Sequence, residues 1–119
     1  KTIKIGNQEW FAENMNRVTK DSKCVENDAD DDGNCKTYGR LYTYEDAKDV
    51  CPEGWILPSK QNVDDLITRI GLYKPYKDKV GDALKSTTGW NETGLDAFAF
   101  AALAAGYYSS NDNSPHNLG

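Results

Sequence analysis

The sequence predicts one loop-rich α+β domain, and three observations support this. The first residues alternate polar and apolar side chains around a Gly-Asn dipeptide, which indicates a β-hairpin. Two later segments, at about 43–50 and 59–70, begin with helix-capping residues. Residues 19–37 include almost no apolar side chain, which is typical of a surface loop. The length of 119 residues fits a single domain, 1–119, with a modest core.

The predicted N-terminal hairpin turns at Gly6-Asn7, a dipeptide that suits a two-residue primed turn. In the first strand, Ile3 and Ile5 lie two positions apart and therefore share one face. We expect that face to point inward.

The two main predicted helices begin at Thr43 and Ser59. Asp46 lies three positions after Thr43, as in a capping box, and Pro52 ends the first helix. After Ser59 the apolar residues recur at helical spacing, and Gly71 suits the residue that follows a helix end. The apolar stripe of the second helix consists of Val63, Leu66, Ile67 and Ile70.

The charge of the chain argues against nucleic acid as a partner. Its 14 basic and 19 acidic residues give a net charge of −5, which does not suit a phosphate backbone. Six of the acidic residues fall between Asp21 and Asp32, so the excess is a local feature. No apolar run approaches the length that spans a bilayer, and we expect no membrane insertion of this segment.

Cys24 and Cys35 bracket the acidic stretch, and we predict that they form a disulfide. Its closure would limit the entropy of a segment that has no apolar face to bury. Three cysteines in a short chain favour an oxidising, exported setting. The odd number leaves at least one cysteine without a partner in the chain.

Asp28, Asp30 and Asp32, followed by Gly33, repeat the first half of a calcium-binding loop. Alternating carboxylates converge on a hard cation, and the glycine permits a sharp turn. The second half does not match, because Gly39 stands where such a loop has its bidentate glutamate. Two interpretations therefore stay open, a calcium site and a solvated acidic loop.

No catalytic arrangement is evident, and we expect the chain not to be an enzyme. His116 is the only histidine and lies in a polar tail without an orienting framework for a nucleophile. Trp10 and Trp55 are expected to be core anchors, since burial is the commoner use of tryptophan in a small domain. For Trp90, in a turn-rich segment, burial and stacking on a sugar ring are equally open.

Five segments, taken in order, resemble the Fibrobacter succinogenes major paralogous domain family. They are IGNQEWFAENMN at 5–16, KTYGRLYTY at 36–44, CPEGWILPS at 51–59, LKSTTGW at 84–90 and FAFAALAAGY at 98–107. The resemblance implies a bacterial extracytoplasmic protein, secreted or on the outer membrane and often a lipoprotein or part of a larger surface protein. The family has no established activity. We expect an adhesion or binding module that recognises a glycan or a surface protein.

The resemblance also implies a C-type-lectin-like fold, in which a terminal hairpin and two helices surround an irregular antiparallel sheet. On this basis we assign Phe98–Leu103 to a strand, because its pattern of alanine and phenylalanine fits a helix and a strand equally. A fold alone does not determine function. The alternatives are a structural spacer in a surface protein and an enzyme related to sulfatase-modifying factors.

The sequence departs from the family pattern near its C-terminal end. Family members usually continue to a near-terminal cysteine that matches Cys51, and no cysteine follows Cys51 here. We therefore expect an unpaired Cys51 thiol and a domain that lacks the family's C-terminal part. We also expect an open sheet edge near Phe98–Leu103, which would favour self-association. The family's usual tryptophan in the second helix is absent, with Val63 the nearest apolar residue.

Overall fold

Contacts within the chain define two compact units, each built from two separated stretches. The first unit comprises Lys1–Glu13 and Pro58–Leu103, and the second comprises Asn14–Leu57 and Ala104–Gly119. Because neither unit is continuous in sequence, each is described below by itself.

The structure is a computed structural model that describes residues 1–25, 33–109, 111 and 114–116. Within these residues, α-helices and short antiparallel strand pairs confirm the predicted α+β class. In chain order the elements are β1 (Thr2–Ile5), β2 (Gln8–Phe11), β3 (Lys23–Cys24), α1 (Asn34–Tyr38), β4 (Arg40–Leu41), α2 (Tyr44–Asp49), α3 (Lys60–Gly71), α4 (Val80–Leu84), β5 (Tyr107–Ser109) and β6 (Ser114–His116), with a 3₁₀ turn at Lys74–Tyr76. The described strands pair as β1 with β2, β3 with β4 and β5 with β6, each pair separate from the others.

The predicted N-terminal hairpin is confirmed. Strands β1 and β2 pair antiparallel, and Gly6 takes a φ of 64° in the turn between them. Ile5 is buried and Ile3 is half-buried against the core, so both point inward as predicted. Gln8 Nε2 donates to the carbonyl of Asn62 over 3.0 Å, which ties the hairpin to α3.

Helix α3 contributes a narrower apolar stripe to the first unit than its sequence predicts. Ser59 is its N-cap and forms a capping box, as the sequence indicates. Leu66 and Ile70 are buried, whereas Val63 and Ile67 remain 40% and 45% exposed. The core therefore receives one edge of the predicted stripe.

The core of the first unit joins α3 to the hairpin and to α4. Its buried members are Ile5, Leu66, Ile70 and Ala83. Aromatic rings close it from several sides: Trp10 and Phe100 meet edge-on with centroids 5.7 Å apart, and Tyr76 meets Phe98 at 5.5 Å. The partly buried members are Ile3, Trp10, Tyr76, Val80, Leu84, Phe98 and Phe100.

The predicted strand at Phe98–Leu103 is wrong. Asp96, Ala99 and Ala101 have positive φ angles of 43°, 55° and 52°, in the left-handed region that strands do not use. Phe98 and Phe100 still reach the core, and their alternation with small residues produced the strand-like pattern.

The stretch 95–102, which includes most of this segment, caps the end of α4. Three of its backbone N–H groups donate to carbonyls at the end of that helix: Leu95 to Asp82 at 2.7 Å, Ala97 to Ala83 at 2.8 Å and Ala102 to Leu84 at 2.9 Å. The last carbonyls of a helix lack partners within the helix, and the returning chain supplies them here. The β pairing of residues 95–103 is limited to one isolated bridge between Lys85 and Ala102. The predicted self-association through a sheet edge at this segment therefore loses its basis.

The left-handed alanines give a direct stability prediction. Ala99→Gly should raise the free energy of unfolding by up to about 1 kcal/mol, since a left-handed alanine costs roughly 1–2 kcal/mol and the entropy of glycine offsets part of the gain. The matched control is Ala97→Gly at a neighbouring exposed position without positive φ, which should lower it by roughly 0.4–1 kcal/mol. Urea unfolding of both variants measures the difference. Equal changes of the same sign would show that the backbone at residue 99 is not left-handed.

The predicted surface loop between residues 19 and 37 contains regular structure that its composition does not reveal. Strand β3 pairs with β4, with Cys24 opposite Arg40, and α1 follows the acidic stretch. Cys24, Val25 and Cys35 are each only 1–2% exposed. The two half-cystines thus supply interior apolar surface that an analysis of conventional hydrophobic residues overlooks.

Candidate functional site

The predicted Cys24–Cys35 disulfide is confirmed, and it closes the chain around the acidic segment, defined here as residues 26–32. The two Cα atoms lie 4.9 Å apart. A second link lies beside it, because Asn34 Nδ2 donates to the carbonyl of Val25 over 2.7 Å. The residues that flank the acidic segment on its two sides are therefore joined by a covalent bond and a hydrogen bond.

Arg40 completes the base of the acidic segment. From β4 its Nη1 contacts Cys35 Sγ at 3.0 Å and Cys24 Sγ at 3.6 Å. Its Nε donates to Ser22 Oγ at 2.9 Å, and its Nη2 donates to the carbonyl of Ser22 at 3.3 Å. We call Ser22, Cys24, Val25, Asn34, Cys35 and Arg40 the segment base. Sequence reasoning did not single out Arg40, because the only signal for it is the pairing of β3 with β4.

The chain that enters the segment base is anchored on α2. The Asp46 carboxylate accepts from Thr19 Oγ1 at 2.5 Å and from the Asp21 N–H at 3.0 Å. The hydrogen bond from Thr19, followed by that from Asp21, holds the pKa of the Asp46 carboxyl below its usual range. Asp46 also lies in the first turn of α2, where its N–H donates to the capping Thr43 Oγ1 at 3.2 Å.

Tyr42 fixes the preceding stretch in the same way. Its hydroxyl accepts from the Arg17 N–H at 2.9 Å and donates to the Arg17 carbonyl at 2.8 Å. Burial raises the pKa of the Tyr42 phenol, against the opposing effect of its bond to Arg17. Two side chains of the second unit thus hold the backbone that leads into β3.

The residues that the sequence assigns to calcium, Asp28, Asp30 and Asp32, lie outside the described residues. In the part of the chain that the structure describes, no three His, Cys, Asp or Glu side chains are grouped so as to bind a metal ion. Within the same ranges, no helix combines the length and apolar character that crossing a bilayer requires.

Comparison with models of protein families identifies the family of the chain. The family model described as Fibrobacter succinogenes major domain matches residues 3–118. The chain belongs to this family. Searches of curated proteins and of solved structures gave no match.

In this Fibrobacter succinogenes major domain, Cys51 is the cysteine that forms no disulfide, and its side chain is partly exposed. It precedes a turn in which the Trp55 N–H donates to the Pro52 carbonyl at 3.0 Å. Ile56 and Leu57 follow and are 73% and 39% exposed. Two apolar side chains of the family-like segment 51–59 are therefore exposed to solvent.

The tryptophans of this Fibrobacter succinogenes major domain have different surroundings. Trp10 packs against the core of the first unit, and its Nε1 donates to Gln8 Oε1 at 3.1 Å. Trp90 is half-buried, donates from Nε1 to the Ala102 carbonyl at 2.8 Å and has Lys85 Nζ 5.4 Å from its ring centroid. A ring covered by a lysine and fixed by a backbone bond has less open face for a sugar, so burial describes Trp90 better than a stacking platform does.

Proposed function

We propose that this chain is a non-catalytic binding module of a bacterium, secreted or on the cell surface, that recognises a glycan or a surface protein through its acidic segment. The observation that carries the proposal is the Cys24–Cys35 disulfide, which joins the residues that flank that segment within an ordered base. Binding residues are often carried on loops that a rigid scaffold positions. The disulfide also suits an extracellular or otherwise oxidising compartment.

We further propose that the fold is related to the C-type-lectin-like folds. An N-terminal hairpin and two capped helices, α2 and α3, are the elements that this relation requires. The short, irregular strand pairs and long connections of the described residues agree with it.

The test is a binding screen of the full chain on immobilised bacterial and plant polysaccharides and on cell-surface protein extracts. The decisive variant is Asp28→Asn/Asp30→Asn in the acidic segment, and the matched control is Asp64→Asn/Asp65→Asn, which removes two acids from α3. We expect at least one ligand to bind the parent and the control and to lose most of its affinity for the segment variant. A ligand that binds the parent and both variants equally would show that the acidic segment is not the binding site. A folded chain that binds none of the ligands would refute the proposal that it is a binding module.

We also propose that the acidic segment binds calcium through Asp28, Asp30 and Asp32. The support is the alternation of the carboxylates together with the crosslink between the flanking cysteines, which reduces the entropy lost when the ligands converge.

Calcium should raise the melting temperature. At a tenfold excess over the dissociation constant, binding stabilises the folded chain by about 1.4 kcal/mol, which for a domain of this size is roughly 3–6 °C. Differential scanning fluorimetry in millimolar calcium measures the shift, with magnesium at equal ionic strength as the control for charge screening. The shift should vanish in Asp30→Asn/Asp32→Asn and persist in Asp64→Asn/Asp65→Asn. An equal response to the two metals, or none to calcium, would contradict a specific site.

A further inference from the structure

The guanidinium of Arg40 lies against both sulfurs of the Cys24–Cys35 disulfide. Nη1 is nearer to Cys35 Sγ, at 3.0 Å, than to Cys24 Sγ, at 3.6 Å. Ser22 holds the group there through its hydroxyl and its carbonyl. A disulfide sulfur is a weak acceptor, whereas a thiolate is an anion, so the same contact becomes much stronger after reduction.

We propose that the Cys24–Cys35 disulfide is reversibly reducible, and that Arg40 stabilises the Cys35 thiolate that reduction releases. The shorter contact distance assigns the negative charge to Cys35. The inference concerns the disulfide itself, and it holds whatever the acidic segment binds.

The reductant is a dithiol, either a small molecule or a protein with two neighbouring cysteines. One of its thiolates attacks Cys24 Sγ: a new sulfur–sulfur bond forms, the Cys24–Cys35 bond breaks, and its electron pair remains on Cys35 Sγ beside Arg40. The second sulfur of the reductant then attacks the mixed disulfide and displaces Cys24. The reductant loses two electrons and becomes a disulfide, Cys24 leaves as a thiol with one proton, and the other proton passes to solvent.

Burial and charge act on different parts of this exchange. Each half-cystine is 1% exposed, so a reductant reaches Cys24 only after local opening, which sets the rate. The equilibrium depends on the thiolate and its surroundings. Strand β3 and helix α1, which carry the two sulfurs, also carry Lys23 and Lys36, and these positive charges favour a thiolate as Arg40 does. The five carboxylates of the acidic segment disfavour a thiolate. A comparison of Arg40 variants keeps that background constant.

The experiment is a redox equilibrium of the full chain in mixtures of reduced and oxidised dithiothreitol. Cys51→Ala is present in every protein, so that alkylation and mass spectrometry count only the two remaining thiols. We expect Arg40→Gln to require a roughly tenfold more reducing mixture for half-reduction, which corresponds to about 30 mV for a two-electron couple. Arg40→Lys keeps the charge and should stay within a few-fold of the parent.

The direction of the change separates the proposal from a merely structural role. If Arg40 only holds the oxidised fold together, Arg40→Gln weakens that fold and makes the disulfide easier to reduce. The charge-matched control is Arg17→Gln, because the recorded bonds of Arg17 to Tyr42 use its backbone and would persist. Easier reduction of Arg40→Gln, or an equal shift in Arg17→Gln, would overturn the proposal.

A second measurement follows thiolate formation directly. In the reduced chain, ultraviolet absorbance against pH should reveal one thiol that ionises roughly 1–3 pH units below the free-cysteine midpoint of about 8.5. Arg40→Gln should move that midpoint back upward, and Arg40→Lys should restore most of the shift. Identical curves for the parent and Arg40→Gln would overturn the assignment of the charge to Cys35.

Discussion

Gly39→Ala is expected to lower the free energy of unfolding by about 3 kcal/mol or more. Gly39 has φ 73° and ψ −159°, a conformation that is essentially restricted to glycine. A Cβ atom at this position would lie 2.6 Å from Asn14 Cβ and 2.7 Å from the Met15 carbonyl oxygen. That carbonyl also accepts from the Arg40 N–H at 2.9 Å, so relief of the overlap would disturb the bond that joins the two stretches. Urea unfolding followed by circular dichroism measures the loss.

The matched control is Gly33→Ala, because Gly33 also has a positive φ, 76°, but none of the residues that the structure describes lies within 4 Å of the added Cβ. Its cost should be only up to about 1 kcal/mol, because the entropy of glycine offsets part of the roughly 1–2 kcal/mol strain of a left-handed alanine. The excess in Gly39→Ala over Gly33→Ala then measures the close approach of residues 14–15 to residue 39. Equal losses would mean that this close approach does not exist in solution.

Cys24→Ala/Cys35→Ala is expected to cost about 3 kcal/mol, the value that loop-closure entropy gives for a crosslink across a loop of this length. The loss should be larger than for most single side chains in the second unit, because both half-cystines are buried. Thermal or urea unfolding under non-reducing conditions measures it.

Cys51→Ala is the matched control for the cysteine variant, since Cys51 is partly exposed and forms no disulfide. It should change the free energy of unfolding by less than about 0.5 kcal/mol. A large loss in the Cys51 variant together with a small loss in the double variant would mean that the sulfur pairing differs in solution.

Local signals in the sequence predicted local structure well. The hairpin follows from alternation around Gly6-Asn7, and the starts of α2 and α3 follow from the hydroxyl caps at Thr43 and Ser59. In each case the partners of the backbone groups lie within a few residues along the chain. The Cys24–Cys35 disulfide belongs to the same class, because the two cysteines are separated by 11 positions around a stretch that lacks apolar residues.

Features that depend on distant parts of the chain were missed. The left-handed residues Ala99 and Ala101 lie in a stretch that returns to the carbonyls of α4, and no pattern within 95–103 encodes that return. Arg40 was overlooked for the same reason, since its contact with the sulfurs needs β3 and β4 to pair. Ile67 has the right spacing for a core residue, yet the first unit covers only one edge of its helix.

The discontinuous make-up of the two units has a consequence for how the chain folds as it is synthesised. The hairpin of the first unit appears first, but its support from α3, including the Gln8 bond to Asn62, lies 54 positions later. Residues 14–57, which include both cysteines of the disulfide, are synthesised before α3. They can therefore begin to fold before the hairpin has α3 to pack against. A chain that enters an oxidising compartment from its N-terminal end should therefore acquire the crosslink before the first unit gains protection from proteases. A fragment ending at residue 57 would contain the disulfide, but its hairpin would lack the packing contacts with α3.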